Sequence, residues 1–409
     1  MLPIALFLLQ ILCQAITLPF SWLMFRIWDT AVRRLQKAWG AEGDAATAFV
    51  ILVPAHNEEA SIATTVRSLK ALDYPKGLLE ILVIADNCKD KTASVARAEG
   101  VEVLERFHDT KKSKGFALEY AIEILQERET HPDAIVIIDA DTTVDAGLLK
   151  AFDRRLQSGQ DWLQAYYQVA NSEDSWRTQL MHLGFAHFNG LWLLGQDTLG
   201  LGSALRGNGM AFSWKGLERC PWQAYSLAED LEFSWHLRMN GERVFFVPEV
   251  KVYGEMIDNN PAAVASQRLR WEHGRKQLRK TFGSQILKKP WPLSRRFIYW
   301  SDLYMPPMAG FVMRLLLNLI VAIAFYQTDS IEIMEGLQGI CLGLALGQIL
   351  NLAIYLLMPF IVMKVPKSHI KLLVIAPVYA LWKAGLLLKR APSTWVRTER
   401  KKESSPDQK

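Results

Sequence analysis

An α/β domain built on a parallel sheet and flanked by transmembrane helices is the fold class predicted by this 409-residue sequence, and three observations predict it. Between residues 49 and 252, short apolar runs alternate with stretches of helical period, the pattern of repeated strand–helix–strand units. Outside that region, residues 2–25, 305–326 and 336–363 each exceed the ~20 residues needed to cross a bilayer core. Acidic residues also fall just after three of the strand-like runs, the edge where open parallel sheets bind ligands.

Taken in chain order, residues 2–25 carry no charge. No basic residue precedes them, and the run outlasts the ~7–15 residues of a signal-peptide core, so residues 1–26 read as a retained anchor. Arg26, Arg33, Arg34 and Lys37 follow, which by the positive-inside rule delivers the chain to the cytoplasm. Residues 305–326 hold only Arg314, and residues 336–363 hold no charge. Between them, Asp329, Glu332 and Glu335 suit the outer face, whereas Lys364, Lys367 and Lys371 suit the cytoplasm. The basic tail, residues 391–409, belongs to the cytoplasm as well, so residues 372–388, interrupted by Pro377 and Lys383, are expected to be re-entrant or interfacial. The layout is thus three full spans: the anchor, and two more within a membrane region over 305–390. An interfacial segment at 286–304 precedes that region, and the domain at 48–285 lies on the cytoplasmic side of a cell (inner or plasma) membrane.

Half of the residues are hydrophobic and the net charge is +5, unevenly spread. Residues 268–296 hold ten Lys or Arg against one acid, Glu272. Just before a membrane span, such a stretch points to anionic lipid headgroups rather than nucleic acid. Cys13, Cys88, Cys220 and Cys341 have neither zinc-ligand spacing nor a disulfide pattern.

Within the domain, residues 49–53 read as a buried strand ended by Pro54, and residues 61–72 as a helix with Ile62, Val66, Leu69 and Leu72 on one face. Residues 80–85 and 101–104 are further strands, and 92–99 and 116–129 further helices. Residues 134–138 form the central strand of a parallel sheet covered on both faces. After the first strand stand Pro54, Ala55, His56, Asn57 and Glu58, and after the second Asp86, Asn87 and Asp90. Taken singly, Asp86 and Asp90 read equally well as turn formers. After the central strand come Asp139 and Asp141. An Asp-x-Asp pair alone is usually a solvated turn, but at the end of a buried strand two carboxylates can share a hard divalent cation with phosphate oxygens.

Further on, Gly207-Asn208-Gly209 permits close backbone approach to a ligand. Glu229-Asp230 lies among Leu227, Leu231, Phe233 and Trp235. Acids there serve a helix dipole, or they are the catalytic carboxylates, with Asp230 as the base that deprotonates an acceptor hydroxyl. Attack from the face opposite the leaving group inverts the anomeric carbon. Gln267, Arg270 and Trp271 stand at i, i+3 and i+4, hence on one helix face. Arg can fork onto a diphosphate and Trp can stack on a sugar, although an amphipathic helix lying on the membrane accounts for the same spacing.

With these motifs in this order, the chain resembles the membrane-bound family 2 glycosyltransferases, the group that includes cellulose, hyaluronan and chitin synthases, over roughly residues 48–300. The resemblance implies a GT-A fold, which is Rossmann-like, a UDP-sugar donor, and Mg2+ or Mn2+. By position it implies that Pro54, Ala55, His56, Asn57 and Glu58 begin the nucleotide site and that Asp86 meets the uracil. It also implies that Lys114-Gly115 lies beside the nucleotide, that Asp139 and Asp141 bind metal, and that Asp230 is the base. Gln267, Arg270 and Trp271 would clamp diphosphate and acceptor. Ala228 stands where the family often has Thr, and Ala85-Asp86-Asn87-Cys88 replaces its Asp-Asp-Gly/Ser signature. Trp395-Val396-Arg397-Thr398 resembles the family's Trp-x-Arg-Thr tail.

The leading expectation is therefore inverting transfer from a UDP-sugar to a growing extracellular polysaccharide or oligosaccharide. The alternative is transfer of a single sugar to a lipid, as in the ceramide glucosyltransferases, which resemble this chain in length, layout and Arg-Trp motif. A catalytically dead scaffold would be expected to lack one of Asp139, Asp141 or Asp230, and all three are present. Residues 206–210 and Trp214 are expected to shape the sugar pocket. On the polymer reading, export needs a homo-oligomer or a partner chain.

Overall fold

The computed structural model describes residues 2–34, 45–256, 261–328 and 332–375, with backbone only over 261–272 and 332–333. The chain divides into two compact units, one containing Gln36–Lys276 and the other Met1–Leu35 with Gln277–Arg390. Helix α1 (Leu2–Arg34) opens the second unit, and the first begins with β1 (Phe49–Ala55), α2 (Ile62–Lys70) and β2 (Leu79–Asp86). There follow α3 (Thr92–Ala98), β3 (Glu102–Arg106), α4 (Lys114–Gln126), β4 (Ala134–Ile137), β5 (Thr142–Val144) and α5 (Leu148–Gln157). Next come β6 (Trp162–Val169), α6 (Trp176–Phe185), a π-helical turn (Ala186–Leu191), α7 (Trp192–Thr198), β7 (Met210–Ser213) and α8 (Trp214–Arg219). Then α9 (Glu229–Met239), β8 (Val244–Gly254) and α10 (Pro261–Lys288) complete this series.

The eight strands form one sheet in the order β3-β2-β1-β4-β7-β6-β8-β5. Strand β1 pairs in parallel with both β2 and β4, and β2 in parallel with β3. An apolar side chain at every position of a central strand serves two cores. Phe49, Ile51 and Val53 point into one, shared with α2, α3 and α5, whereas Val50 and Leu52 point into the other, shared with α4, α8 and α9. The apolar stripe of α2 ends in the first core as its spacing predicts, with Ile62, Val66 and Leu69 fully buried.

Two expectations need correction. Pro54 does not end β1. The strand runs to Ala55, with Pro54 opposite Ile84, because β4 pairs only as far as Leu52 and no ladder donor is missed on that side. Nor is the whole sheet parallel: β7 lies antiparallel between β4 and β6, and β5 is antiparallel to β8. Hydrophobic periodicity carries no strand direction, so the reversal at β7 left no mark in the pattern. The reversal matters for function, because it returns residues 206–209 to the edge where the parallel strands end.

In the second unit, α11 (Leu293–Tyr304), α12 (Met308–Tyr326) and α13 (Glu332–Val362) follow α10. Among the described residues three helices, Leu2–Arg34, Met308–Tyr326 and Met334–Val362, are long and apolar enough to cross a membrane by length and composition. Helix α1 runs well past the expected residue 26 and takes Arg33 and Arg34 into its last turn, where positive charge favours the helix dipole. A line of buried amides joins the three helices. Gln10 Nε2 donates to Asn318 Oδ1 at 2.9 Å, Asn318 Nδ2 to Gln348 Oε1 at 3.4 Å, and Gln348 Nε2 to Gln14 Oε1 at 2.6 Å. Residues 329–331, between the second and third apolar runs, most of residues 372–388, and all of the basic tail with its Trp395–Thr398 motif lie outside the described residues, whereas Glu332 and Glu335 fall in the first turns of α13.

Candidate active site

The carboxyl ends of β1, β2, β3 and β4 share one edge, and the loops that leave them interlock. His56 Nδ1 is 2.7 Å from the carbonyl oxygen of Asp86, and Lys89 N donates to Asn57 Oδ1 at 2.7 Å. Asn57 and Asn87 adopt positive φ (59° and 50°), where asparagine is better tolerated than most residues, and so turn these two loops toward each other. Glu58 N donates to Thr92 Oγ1 at 2.8 Å. Asp90 accepts from Thr92 N at 3.0 Å and Glu59 N at 3.2 Å, so its carboxylate serves the turn. Pro54 and Ala55 are the last residues of β1.

Asp86, expected to meet a base, has a partner within the protein. Its carboxylate accepts from Arg106 Nη1 at 2.5 Å and Asn87 Nδ2 at 2.9 Å, with side-chain exposures of 10% for Asp86 and 8% for Arg106. Arg106 was not singled out from sequence. It ends a short edge strand, and only the parallel register, which sets Asp86 opposite Arg106, brings the two together.

The central constellation forms around Lys114, at the start of α4. Its Nζ donates to Asp139 and to the carbonyl oxygen of Gly207, joining the end of β4 to the loop before β7. The next residue must be glycine, because a Cβ on Gly115 would lie 2.0 Å from the carbonyl oxygen of Ala224. Asp139 N donates to Asn208 Oδ1 at 3.2 Å, and Asn208 Nδ2 donates to Thr142 Oγ1 at 2.8 Å. Thr142 Oγ1 is in turn 3.3 Å from Asp141 Oδ1. Gln164, fully buried in β6, holds the same loop from behind: Arg206 N donates to its Oε1 at 2.7 Å, and its Nε2 donates to Asn208 O at 2.8 Å. Gly207 has φ +77°, and a Cβ there would sit 3.4 Å from Asp230 Oδ2 and 3.8 Å from Lys114 Nζ. The Asp139 end of the site and the candidate base therefore meet across a residue with no side chain.

Glu229 and Asp230 open α9, as the sequence predicts, with Glu232 in the same turn. Asp230 Oδ1 accepts from Leu231 N at 2.8 Å, and Ser234 Oγ donates to Asp230 O at 2.8 Å while accepting from Leu205 N at 2.7 Å. Glu232 is structural, taking Tyr225 N and Ser226 N at 3.0 and 2.9 Å.

Crowding of like charge among partly buried side chains shapes the protonation of the group. Burial and the adjacent Asp230 push Glu229 up to about 7, against the pull of Lys114. Burial raises Asp230 as well, opposed by the Leu231 N–H and the charges of Arg206 and Lys114. Burial and the neighbouring Asp141 raise Asp139, with Lys114 opposing. For Lys114 itself, burial favours loss of the proton, but Asp139 and Glu229 outweigh it and keep the ammonium charged above its ordinary range.

Asp139 and Asp141 offer hard oxygen donors, and the excess negative charge around them is of the kind a divalent cation offsets. Among the described residues no set of three or more His, Cys, Asp or Glu side chains is grouped to hold a metal. Gln267, Arg270 and Trp271 lie on α10, helical as expected, with their side chains outside the described residues. Trp214 begins α8 and is buried.

A family model described as glycosyltransferase like family 2 matches residues 46–274, more than half of the chain. A beta-monoglucosyldiacylglycerol synthase from Trichormus variabilis is 28% identical over 281 residues, 64% of this chain and 56% of that protein. The probable glycosyltransferase YdaM of Bacillus subtilis is 24% identical over 289 residues, 68% of this chain and 66% of that protein. The matches thus span 56–66% of the length of these curated relatives. Among solved structures, the Pyrobaculum calidifontis mannosyltransferase PcManGT, in complex with GDP-Man and Mn2+, has a TM-score of 0.56 at 18% identity, covering 93% of this chain and 98% of that one. That likeness is one of fold.

Proposed function

The chain belongs to glycosyltransferase-like family 2, and from that premise we propose that it transfers a sugar from a UDP-sugar to a hydroxyl of a membrane lipid, with inversion. The observation that carries the chemistry is the meeting of Lys114, Asp139 and Asp230 around Gly207. One side of this point is suited to a nucleoside diphosphate and the other to an acceptor. Support for a lipid acceptor comes from the similarity to beta-monoglucosyldiacylglycerol synthases and from three helices able to cross a membrane.

In the proposed reaction, the acceptor oxygen forms a bond to the anomeric carbon as the bond from that carbon to the diphosphate oxygen breaks. The hydroxyl proton passes to Asp230. Raised by burial, this carboxylate is a stronger base near neutrality than an exposed aspartate. Lys114 supplies fixed positive charge beside the diphosphate, and Gly207 lets the reacting atoms approach the backbone. Asp139 and Asp141 would hold Mg2+ or Mn2+, which when bound neutralises charge on the leaving diphosphate. The proposed orientation sets this domain on the cytoplasmic side, where nucleotide sugars are available.

Product analysis tests the proposal. Full-length protein in nanodiscs receives Mg2+ or Mn2+, labelled UDP-sugars with GDP-mannose for comparison, and total lipid extract. Label in one discrete organic-phase product is the expected result. Label in high-molecular-weight, glycosidase-sensitive material would establish the polysaccharide alternative instead. Transfer from GDP-mannose alone would overturn the choice of nucleotide, and absence of any product or nucleotide release would overturn the enzyme assignment of the site.

A further inference from the structure

There is no room for a methyl group at Gly274. A Cβ built there would lie 2.5 Å from Ala228 Cβ, well inside van der Waals contact, with Ala228 Cα and N next at 3.7 Å. Gly274 is buried on α10, and Ala228, 5% exposed, is the residue immediately before α9. A close approach of α10 to the domain core therefore falls at the step that leads into Glu229 and Asp230.

Helix geometry identifies the face involved. At 3.6 residues per turn, positions 267, 270 and 271 fall within about 60° of position 274. The Gln267, Arg270 and Trp271 positions thus share the face that docks at the start of α9. We infer that Gly274 and Ala228 form a close-contact pair that sets how near this face of α10 stands to the candidate catalytic carboxylates. Gly274 is then a positioning residue for transfer. The inference rests on the proposed function where it treats Asp230 as the base; the contact itself does not.

Steric distances set the size of the effect. Ordinary contact begins at 3.4 Å, so an alanine at 274 must push α10 away from a 2.5 Å approach by nearly 1 Å. Misplacement on that scale costs ~10²-fold in turnover. Removing the opposing Cβ relieves the clash, because the remaining Ala228 atoms lie at an ordinary 3.7 Å. Glycine is also well accepted at the residue before a helix.

The test compares full-length wild type, Gly274→Ala, Ala228→Gly and the double variant Ala228→Gly/Gly274→Ala in nanodiscs. Gly274→Ala should lower kcat by ~10²-fold with donor KM within ~3-fold, and the double variant should recover most of that loss. Amide hydrogen exchange over residues 229–234, read without substrate, should quicken in Gly274→Ala and return to normal in the double variant. Full kcat in Gly274→Ala, a rise in donor KM in place of the fall in kcat, or no recovery in the double variant would overturn the inference. Unchanged exchange in Gly274→Ala would overturn the contact as well. If wild type proves inactive with every donor, the proposed function fails, while the exchange measurement still decides whether the pair positions the start of α9.

Discussion

Asp230 sits one residue into α9, held by its own Leu231 N–H and separated from Lys114 only by the bare backbone of Gly207. Asp230→Asn keeps that shape and removes the base, so donor binding should remain while kcat falls by ~10²–10⁴-fold. Unchanged turnover would remove Asp230 from the mechanism. Asp141→Ala should weaken Mn2+-dependent UDP binding, measured by calorimetry with and without the metal. Equal affinities in wild type and variant would take Asp141 out of the metal site. Glu229 supports a prediction about stability. Its folded value of about 7 lies above the ordinary 4.5, so between those values the folded state binds more protons than the unfolded chain. Stability therefore falls as pH rises through that window, by up to ~3 kcal/mol. Glu229→Gln should raise the melting temperature of the ligand-free protein at pH 8 and give no comparable gain at pH 5. A gain of equal size at both values would show that ionisation of Glu229 is not the cause. Residues of this kind were legible in the sequence because Asp139, Asp141 and Asp230 stand at ends of elements. Arg106 and Gln164 were not, because each matters through a partner distant in sequence: Asp86 for the first, the Arg206–Asn208 backbone for the second.

Between residues 49 and 138 periodicity places the elements to within a few residues, since buried strands and one-sided helices leave repeating apolar patterns, whereas β5 to β8 and the helices α5 to α8 among them carried no individual assignment. Strand direction is not legible in this way, as β7 shows by running against β4. In the membrane unit, an apolar run identifies a span but not which side chains bind its neighbours. The amides of Gln10, Gln14, Asn318 and Gln348 are nine-tenths or more buried and bonded across α1, α12 and α13. Within lipid, such bonds fasten helices where the hydrophobic effect gives no preference for helix over acyl chain. Asn318 takes part in two of them, so Asn318→Leu strips Gln10 Nε2 and Gln348 Oε1 of a partner. The bundle should lose ~1–2 kcal/mol, measured by reversible unfolding in mixed micelles. A variant as stable as wild type would mean that packing alone holds these helices in register.

For the whole molecule, the GT-A domain and the membrane helices form separate compact units, with α10 running through their sequence boundary at Lys276 and Gln277. The basic stretch at residues 268–296 lies across that boundary, with ten Lys or Arg against Glu272. Not all of this charge is available to lipid. Arg279 donates to the carbonyl oxygens of Leu303 and Met305 at 3.0 Å, and Arg296 to those of Trp291 and Leu287 at 2.9 and 3.1 Å. Those two guanidiniums tie α10, α11 and the turn between them together. Lys280, Lys288 and Arg295 are exposed and remain for headgroups. Each basic residue near an anionic surface is worth ~1 kcal/mol, an attraction that decays over ~8 Å at physiological salt and ~3 Å at 1 M. Activity in nanodiscs should therefore rise with the fraction of phosphatidylglycerol, and 1 M salt should cancel the gain. Lys280→Glu/Lys288→Glu/Arg295→Glu should lose the dependence on anionic lipid while keeping activity in purely zwitterionic nanodiscs. Equal wild-type rates in zwitterionic and anionic nanodiscs would show that the stretch serves folding rather than the membrane. Arg279→Ala separates the two roles: it should lower stability in both lipids alike, because its partners are backbone carbonyls rather than headgroups.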